Sequence, residues 1–533
     1  MRALVQSLAV LAICLASSVF SLAQVTAERL LNAEQEKGNW LTYSGTYRSH
    51  HYSQLEEINR ANVRRLKLKW VYQMSAQQKV ETTPLIVDGV MYVTQPPNDV
   101  IALDAETGRP FWTYKRTLPE KIDICCGQVN RGLAILGNVL YMGTVDAHLV
   151  ALDARTGTVI WDIEVADHTK GYAVTLAPLA LKDKIIIGVS GGEYGIRGFV
   201  DAYDAVTGKR VWRFYTIPAP GEPGSETWKG DTWKRGGGPA WLTGSYDPEL
   251  NLLYWGIGNA SPDWNGSVRP GDNLYTSSVV ALSPDTGKLK WYFQFTPHDV
   301  YDWDAAQIPV LVDAEYQGAQ RKLMYWGNRN AFFYVLDRAT GEFLHATQFA
   351  TQTWAERIDE KGRPVRKPGS EPTPDGTLVY PGNQGGTNWY SPSFSPRTGL
   401  FYLSAWEYAS KYYSGDTPYV AGNRNFGSFP ADIPGDPGWS AVRAIQPKTG
   451  EIVWQYKLQT TTQAGVLSTA GDLVFGGTNE GQFFALDAAS GAELWHASLG
   501  GLIAAGPVSY LSHGKQQITI AAGSALFTFG MDE

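Results

Sequence analysis

Cys125 and Cys126 stand side by side, followed by Gly127 and, five residues on, by Arg131. Neighbouring Cα atoms lie about 3.8 Å apart across a trans peptide, whereas ordinary disulfides span about 4.4–6.8 Å. The pair is therefore either a bond closing a small strained ring, chemistry that persists where a functional site holds it, or two reduced thiols buried as small hydrophobes. A second cluster is His298-Asp299-Val300-Tyr301-Asp302-Trp303-Asp304. Asp302 and Asp304 face one side if the segment is extended, and two carboxylates in one place repel unless a cation or a proton compensates. That pattern suits a metal site or a base with a raised pKa; a loop with separate caps is the plainer reading.

Other polar groups interrupt otherwise apolar runs. Ser190, Gly191, Gly192 and Glu193 follow the apolar segment 184–189. The two glycines let a flat ligand approach the backbone, and Glu193 offers a carboxylate to a hard cation; a glycine-rich turn with a solvated Glu is the alternative. Asn259, after Gly258, offers a carbonyl oxygen of the same kind, though Asn after Gly is most often a turn residue. Arg131 and Arg329 can fork onto carboxylates or quinone-like oxygens, and Asn388-Trp389 follows a glycine-rich loop; taken singly, a structural surface ion pair is the plainer reading.

The elements that must position these groups are set by a repeat, Ala-Leu-Asp-x-x-Thr-Gly-x-x-x-Trp. It occurs at 102–112, 151–161 and 202–212, and more weakly at 281–291, 335–345, 444–454 and 485–495. In each copy an apolar strand ends in a tight turn, Asp104 to Gly108 in the first, and the next strand carries a Trp suited to packing between sheets. Segments 85–87, 90–93 and 184–189 read as further strands. Trp70 supplies one more unit. Sheets of this kind arranged radially predict an all-β chain, an eight-bladed β-propeller with tryptophan-docking repeats. His345 stands where the repeat has Trp, as a ligand or as a degenerate copy. The long aromatic-rich stretches between Trp212 and Ala281, and between His345 and Ala444, read as ordered loops that cover something.

Residues 1–23 have the build of a signal peptide: Arg2, an apolar run short for a membrane span, and a small-residue site at Ser21-Leu22-Ala23. Its removal takes Cys14 with it, leaves a single domain over 24–533 with no transmembrane segment, and puts the mature chain in the periplasm, where an oxidised pair is favoured. A net charge of −7 with no basic run argues against nucleic acid as a partner. No Cys-x-x-Cys-His occurs, so no covalent haem is expected on this chain.

Taken together, the repeat, the vicinal cysteines and the polar clusters resemble the bacterial pyrroloquinoline quinone (PQQ)-dependent, or quinoprotein, alcohol dehydrogenases from Trp40 to about Phe529. Non-catalytic propellers of the outer-membrane assembly type share the repeats alone. The resemblance implies a vicinal disulfide Cys125–Cys126 on one face of PQQ and Trp241 on the other. Glu81, Arg131, Thr175, Ser190, Gly191, Gly192, Arg329, Asn388 and Trp389 would complete the cofactor site. Glu193, Asn259 and Asp302 match the metal ligands, and Asp302 also the general base. Asp304 resembles the added carboxylate of the lanthanide-dependent branch, which favours a lanthanide over Ca2+. The implied reaction is oxidation of an alcohol to an aldehyde, with electrons passed to a soluble cytochrome c; a sugar or polyol dehydrogenase is the nearest alternative, and the resemblance allows a homodimer. Two departures stand out: Ala240 where the family often has Thr, and Gln463-Ala464 where a Trp often precedes Gly465. Trp264, Tyr408 and Phe426 are expected at the mouth of the funnel.

Overall fold

A computed structural model describes residues 24–76 and 79–532, so the expected signal segment lies outside the described residues. The chain is almost wholly β: seven four-stranded antiparallel sheets and one sheet of five strands, with two smaller sheets between them. This is a β-propeller architecture. The apolar runs form the expected strands, Leu85–Val87, Val90–Gln95 and Lys184–Gly188, all buried on both faces apart from Lys184.

The repeat explains how neighbouring sheets dock. In the first copy the strand Asp99–Asp104 ends in a turn where Asp104 Oδ1 accepts from the backbone N–H of Glu106 (2.9 Å) and Thr107 (3.1 Å). Gly108 closes that turn at φ +72°, a conformation that favours glycine. The strand Pro110–Tyr114 then pairs back with a register shift that sets Trp112 opposite Ala102. Each Trp reaches into the next sheet. The Trp70 indole donates to the Ala105 carbonyl at 3.3 Å, Trp112 to Ala154 at 3.2 Å, Trp212 to Pro284 at 2.9 Å and Trp454 to Ala488 at 3.0 Å. Its ring lies over the turn glycine of that next repeat. A Cβ on Gly108 would sit 2.6 Å from Trp70, and one on Gly157 2.5 Å from Trp112. The glycine thus serves twice, for its φ and for the missing methyl that leaves room for an indole.

His345 occupies the Trp position of its sheet, opposite Val335, and its Nδ1 pairs with the Tyr316 hydroxyl at 2.8 Å. It is a local substitute within the sheet and lines no part of the cavity described below. The two long stretches are ordered. One carries short 3₁₀ turns; the other forms a hairpin, Ala355–Ile358 with Pro364–Arg366, and a three-stranded sheet of Thr377–Val379, Ser410–Tyr412 and Pro430–Asp432.

The two ends of the chain share a sheet. Lys67–Gln73 pairs antiparallel with Ala525–Gly530, so an early strand completes the sheet built by the last three. The segment ahead of it ties other sheets together: Tyr52 and Ser53 run parallel to Ser468 and Thr469, and the His50 ring contacts the Leu311 carbonyl at 2.6 Å. No helix of the described residues is long and apolar enough to cross a membrane.

Candidate active site

One cavity, of about 150 Å3, gathers most of the chemistry-bearing residues. Its walls include Glu81, Cys125, Cys126, Arg131, Thr175, Ser190, Gly191, Glu193, Trp241, Asp302, Asp304, Arg329, Asn388 and Trp389. Gly192 and Asn259 stand just behind: a Cβ on Gly192 would lie 3.2 Å from Asn259 Oδ1.

Cys125 and Cys126 are bonded to each other, and Cys126 has φ +68°. Both sulfurs and a Glu193 carboxylate oxygen lie within 4.8 Å of one another, which sets the disulfide against the acidic side of the cavity. Opposite, the Arg131 guanidinium rests between two indoles, 4.8 Å from the Trp241 ring centre and 4.7 Å from that of Trp389. Arg131 also pairs with Glu81 at 2.7 Å and donates to Thr175 Oγ1 at 3.1 Å. Glu81 is held on its other side by Lys79 at 2.5 Å, and Lys79 donates to Gln463 Oε1 at 2.8 Å. Gln463, the departure noted above, thereby becomes part of a polar wall. Ser190 donates to the Ala173 carbonyl at 3.1 Å, and Gly191, at φ +116°, leaves no room for a Cβ against the Gly171 carbonyl. Asn388 donates to the Gln384 carbonyl at 2.9 Å and accepts from the Trp389 N–H at 2.8 Å.

Asp304 is the pivot of the acidic side. Its Oδ1 accepts from the Asn259 N–H at 2.6 Å; its Oδ2 accepts from the Trp241 indole at 3.1 Å and from Arg329 Nη1 at 2.8 Å. Arg329 reaches Asp302 as well, Nη2 to Oδ2 at 3.5 Å, and also donates to the Asn383 carbonyl. The two aspartates do converge, but not through an extended segment. Asp302 takes φ +64°, and Asp299, one turn earlier, accepts from the N–H groups of Tyr301 (3.2 Å) and Trp303 (3.0 Å) to shape the loop.

Burial and crowding raise the proton affinity of these acids. Glu193 is pushed up to about 7, by burial first and then by the charge of Asp304. Asp302 lies well above the usual carboxylate range because of burial and the Asp304 charge, with Arg329 opposing. Asp304 is raised by burial against the same arginine. Arg329 stays charged: burial works against it, and Asp302 and Asp304 outweigh burial. Like-charged acids held together with oxygen donors alone are the donor set of a hard cation. The carboxylates of Glu193, Asp302 and Asp304 do not close to within 4.8 Å of one another as a trio. Arg131 Nε and Arg329 Nε are buried without an acceptor, and a flat, oxygen-rich cofactor between disulfide and indole fits such walls.

Trp264, Tyr408 and Phe426 are not among the residues that line the cavity. Trp264 packs on Phe426 at 5.1 Å and Tyr408 on Trp406 at 5.5 Å, so apolar burial claims all three rings. Lys79, Gln384 and Tyr390, which no motif marks, do line it.

A family model described as the β-propeller domain of glucose, ethanol and alcohol dehydrogenases that use PQQ matches residues 40–351. One for the outer-membrane protein assembly factor BamB matches residues 439–519. The chain is 41% identical to quinohemoprotein alcohol dehydrogenase ADH IIB of Pseudomonas putida, over 96% of this chain and 77% of that protein. It is 37% identical to quinoprotein alcohol dehydrogenase PedH of Pseudomonas putida, over 94% and 89%. A solved europium-containing methanol dehydrogenase superposes with a TM-score of 0.89 at 33% identity, over 95% of this chain and 100% of that one.

Proposed function

The chain belongs to the PQQ-dependent alcohol dehydrogenase family, and from that membership we propose that it oxidises alcohols to aldehydes in the periplasm, at an eight-bladed propeller holding PQQ and a lanthanide ion. The observation that carries this reading is Asp304, joined at once to Asn259, Trp241 and Arg329 beside Asp302 and Glu193. The eight larger sheets read as eight blades.

Cys125–Cys126 and Trp241 would hold the two faces of PQQ. Glu81, Arg131, Thr175, Ser190, the Gly191–Gly192 backbone, Arg329, Asn388 and Trp389 would hold its polar edge. Glu193, Asn259, Asp302 and Asp304 would hold the cation. PQQ, when bound, supplies a two-electron oxidant, and the cation beside it supplies Lewis acidity. Asp302 accepts the hydroxyl proton of the alcohol. Arg329 keeps Asp302 available for that proton, its positive charge opposing the burial and the Asp304 charge that raise the Asp302 pKa. Trp241 is oriented by its bond to Asp304, which couples the aromatic wall to the cation side. Electrons leave to a soluble cytochrome c.

Asp304 favours a trivalent ion, because a fourth oxygen-bearing side chain with a charge adds more to a trivalent than to a divalent site. The test is a dye-linked assay of protein supplied with PQQ and either lanthanum or calcium, over alcohols and aldoses. Asp304→Ala abolishes lanthanum-supported turnover and leaves calcium-supported turnover measurable. Equal loss with both ions overturns the metal assignment, and a preference for aldoses overturns the substrate class.

A further inference from the structure

Asp263 has no part in the site as described, yet among the described residues it alone has both carboxylate oxygens buried without a hydrogen-bond partner. Its side chain is fully buried. It lies in the turn that follows Asn259, four residues on. The nearby cation, Arg269, is committed elsewhere. Its Nε and Nη2 donate to the Pro262 carbonyl at 3.1 and 2.9 Å, its Nη1 to Asn273 Oδ1 at 2.8 Å, and its Nη2 also to the backbone carbonyls of Asp263 (3.4 Å) and Asp299 (2.5 Å). Arg269 therefore grips the backbone of Asp263 and leaves its carboxylate bare. The same turn is tied to the acidic side of the cavity by Asn425, whose N–H donates to the Glu193 carbonyl at 2.5 Å and whose side-chain amide donates to Ser261 Oγ at 3.3 Å.

Burial holds the Asp263 carboxyl well above its ordinary range, and the next contributions come from Asp302, Glu193 and Asp304 in that order. These are the three acidic members of the candidate cation site, so Asp263 faces their field. A bare buried carboxylate is expensive unless a cation or a proton compensates it.

We propose that Asp263 is a fourth carboxylate of the cation site, standing behind Glu193, Asn259, Asp302 and Asp304 and matching that site to a trivalent rather than a divalent ion. The proposal rests on the cation reading above. A further carboxylate adds negative charge to the site, which favours a trivalent over a divalent ion.

The test is a europium luminescence titration of PQQ-loaded protein, with calcium competition, on wild type, Asp263→Asn and Glu193→Gln. Asn preserves the volume and removes the charge. Asp263→Asn is expected to weaken europium binding about 10- to 100-fold, the usual effect of removing a group behind a metal's ligands. Calcium binding weakens less, so the preference for europium narrows, and the ion-free protein melts no lower than wild type. Europium binding as tight as in wild type, with Glu193→Gln abolishing it, overturns the proposal and leaves the cation reading standing. Europium binding that Glu193→Gln does not affect overturns the cation reading itself. Should the Asn variant not fold, Asp263→Ser is read in the same titration with the same two outcomes.

Discussion

At Asp302 two demands compete. A base must be ionised, yet burial and Asp304 both raise its proton affinity, and Arg329 opposes them across 3.5 Å. Asp302→Asn should lower kcat by about 10²- to 10⁴-fold, the usual worth of a positioned base, while the purified protein still carries PQQ by its absorbance. Arg329→Gln tests the electrostatics. Arg329 lowers the Asp302 pKa, so its loss raises that pKa and moves the acidic limb of the kcat–pH profile to higher pH. An unmoved limb in a variant that still binds PQQ would detach Arg329 from the base. These two aspartates were legible in the sequence because they share seven residues with His298 and Asp299, a density of ionisable groups that stands out from the repeat. Asp263 was not, since a lone Asp after Pro reads as an ordinary turn residue and only burial reveals that nothing pairs with it. Lys79 and Tyr390 were hidden for a similar reason: their place in the wall comes from contacts between distant segments, which no local spacing encodes.

Among the elements, the indole-over-glycine contact is the joint that repeats. It was readable before the structure because it needs a fixed offset: a turn that accepts Gly at positive φ, then a Trp four residues on. What could not be read was its direction, since Trp70, Trp112, Trp161, Trp212, Trp291 and Trp454 dock on the glycine of the following unit rather than their own. Gly108→Ala meets the Trp70 ring at 2.6 Å and also pays the cost of positive φ. Gly89, at φ +85°, has no neighbour within 4 Å of such a Cβ. Gly89→Ala should therefore cost about 1 kcal/mol from backbone conformation alone, and Gly108→Ala about 1–3 kcal/mol more from overpacking. Equal losses in denaturant unfolding would mean the indole yields freely. The aromatic loops show the opposite lesson. Composition alone marks Trp264, Phe426 and Tyr408 for the funnel mouth, and their rings pack on aromatic neighbours.

For the whole molecule, the segment 40–53 is a stitch between sheets. His51 Nδ1 donates to the Val466 carbonyl at 2.7 Å, leaving Nε2 bare and buried, and the His51 carbonyl accepts from Ser393 Oγ at 2.8 Å. Burial lowers the His51 pKa to about 4, with the Val466 contact working against it. As pH falls from about 6.5 to about 4, the unfolded chain takes up a proton that the folded chain refuses, so stability present above that window is lost within it. For His51 the loss is on the order of 3 kcal/mol, and His50, also lowered by burial, acts in the same direction. The buried acids with raised pKa act the other way, so the informative quantity is a difference: His51→Gln should flatten the fall of melting temperature with acid relative to wild type. A parallel fall in both proteins would remove His51 from the account.

The shared sheet of Lys67–Gln73 and Ala525–Gly530 bears on how such a chain comes to exist at all. The strand holding Trp70 pairs only with Ala525–Gly530, far from it along the chain. Without that partner two sheet edges are unpaired, one of them on a strand whose Leu68 and Val71 are exposed even in the folded chain. Removing Ala525–Gly530 therefore leaves a chain that is expected to aggregate rather than fold as a slightly smaller propeller.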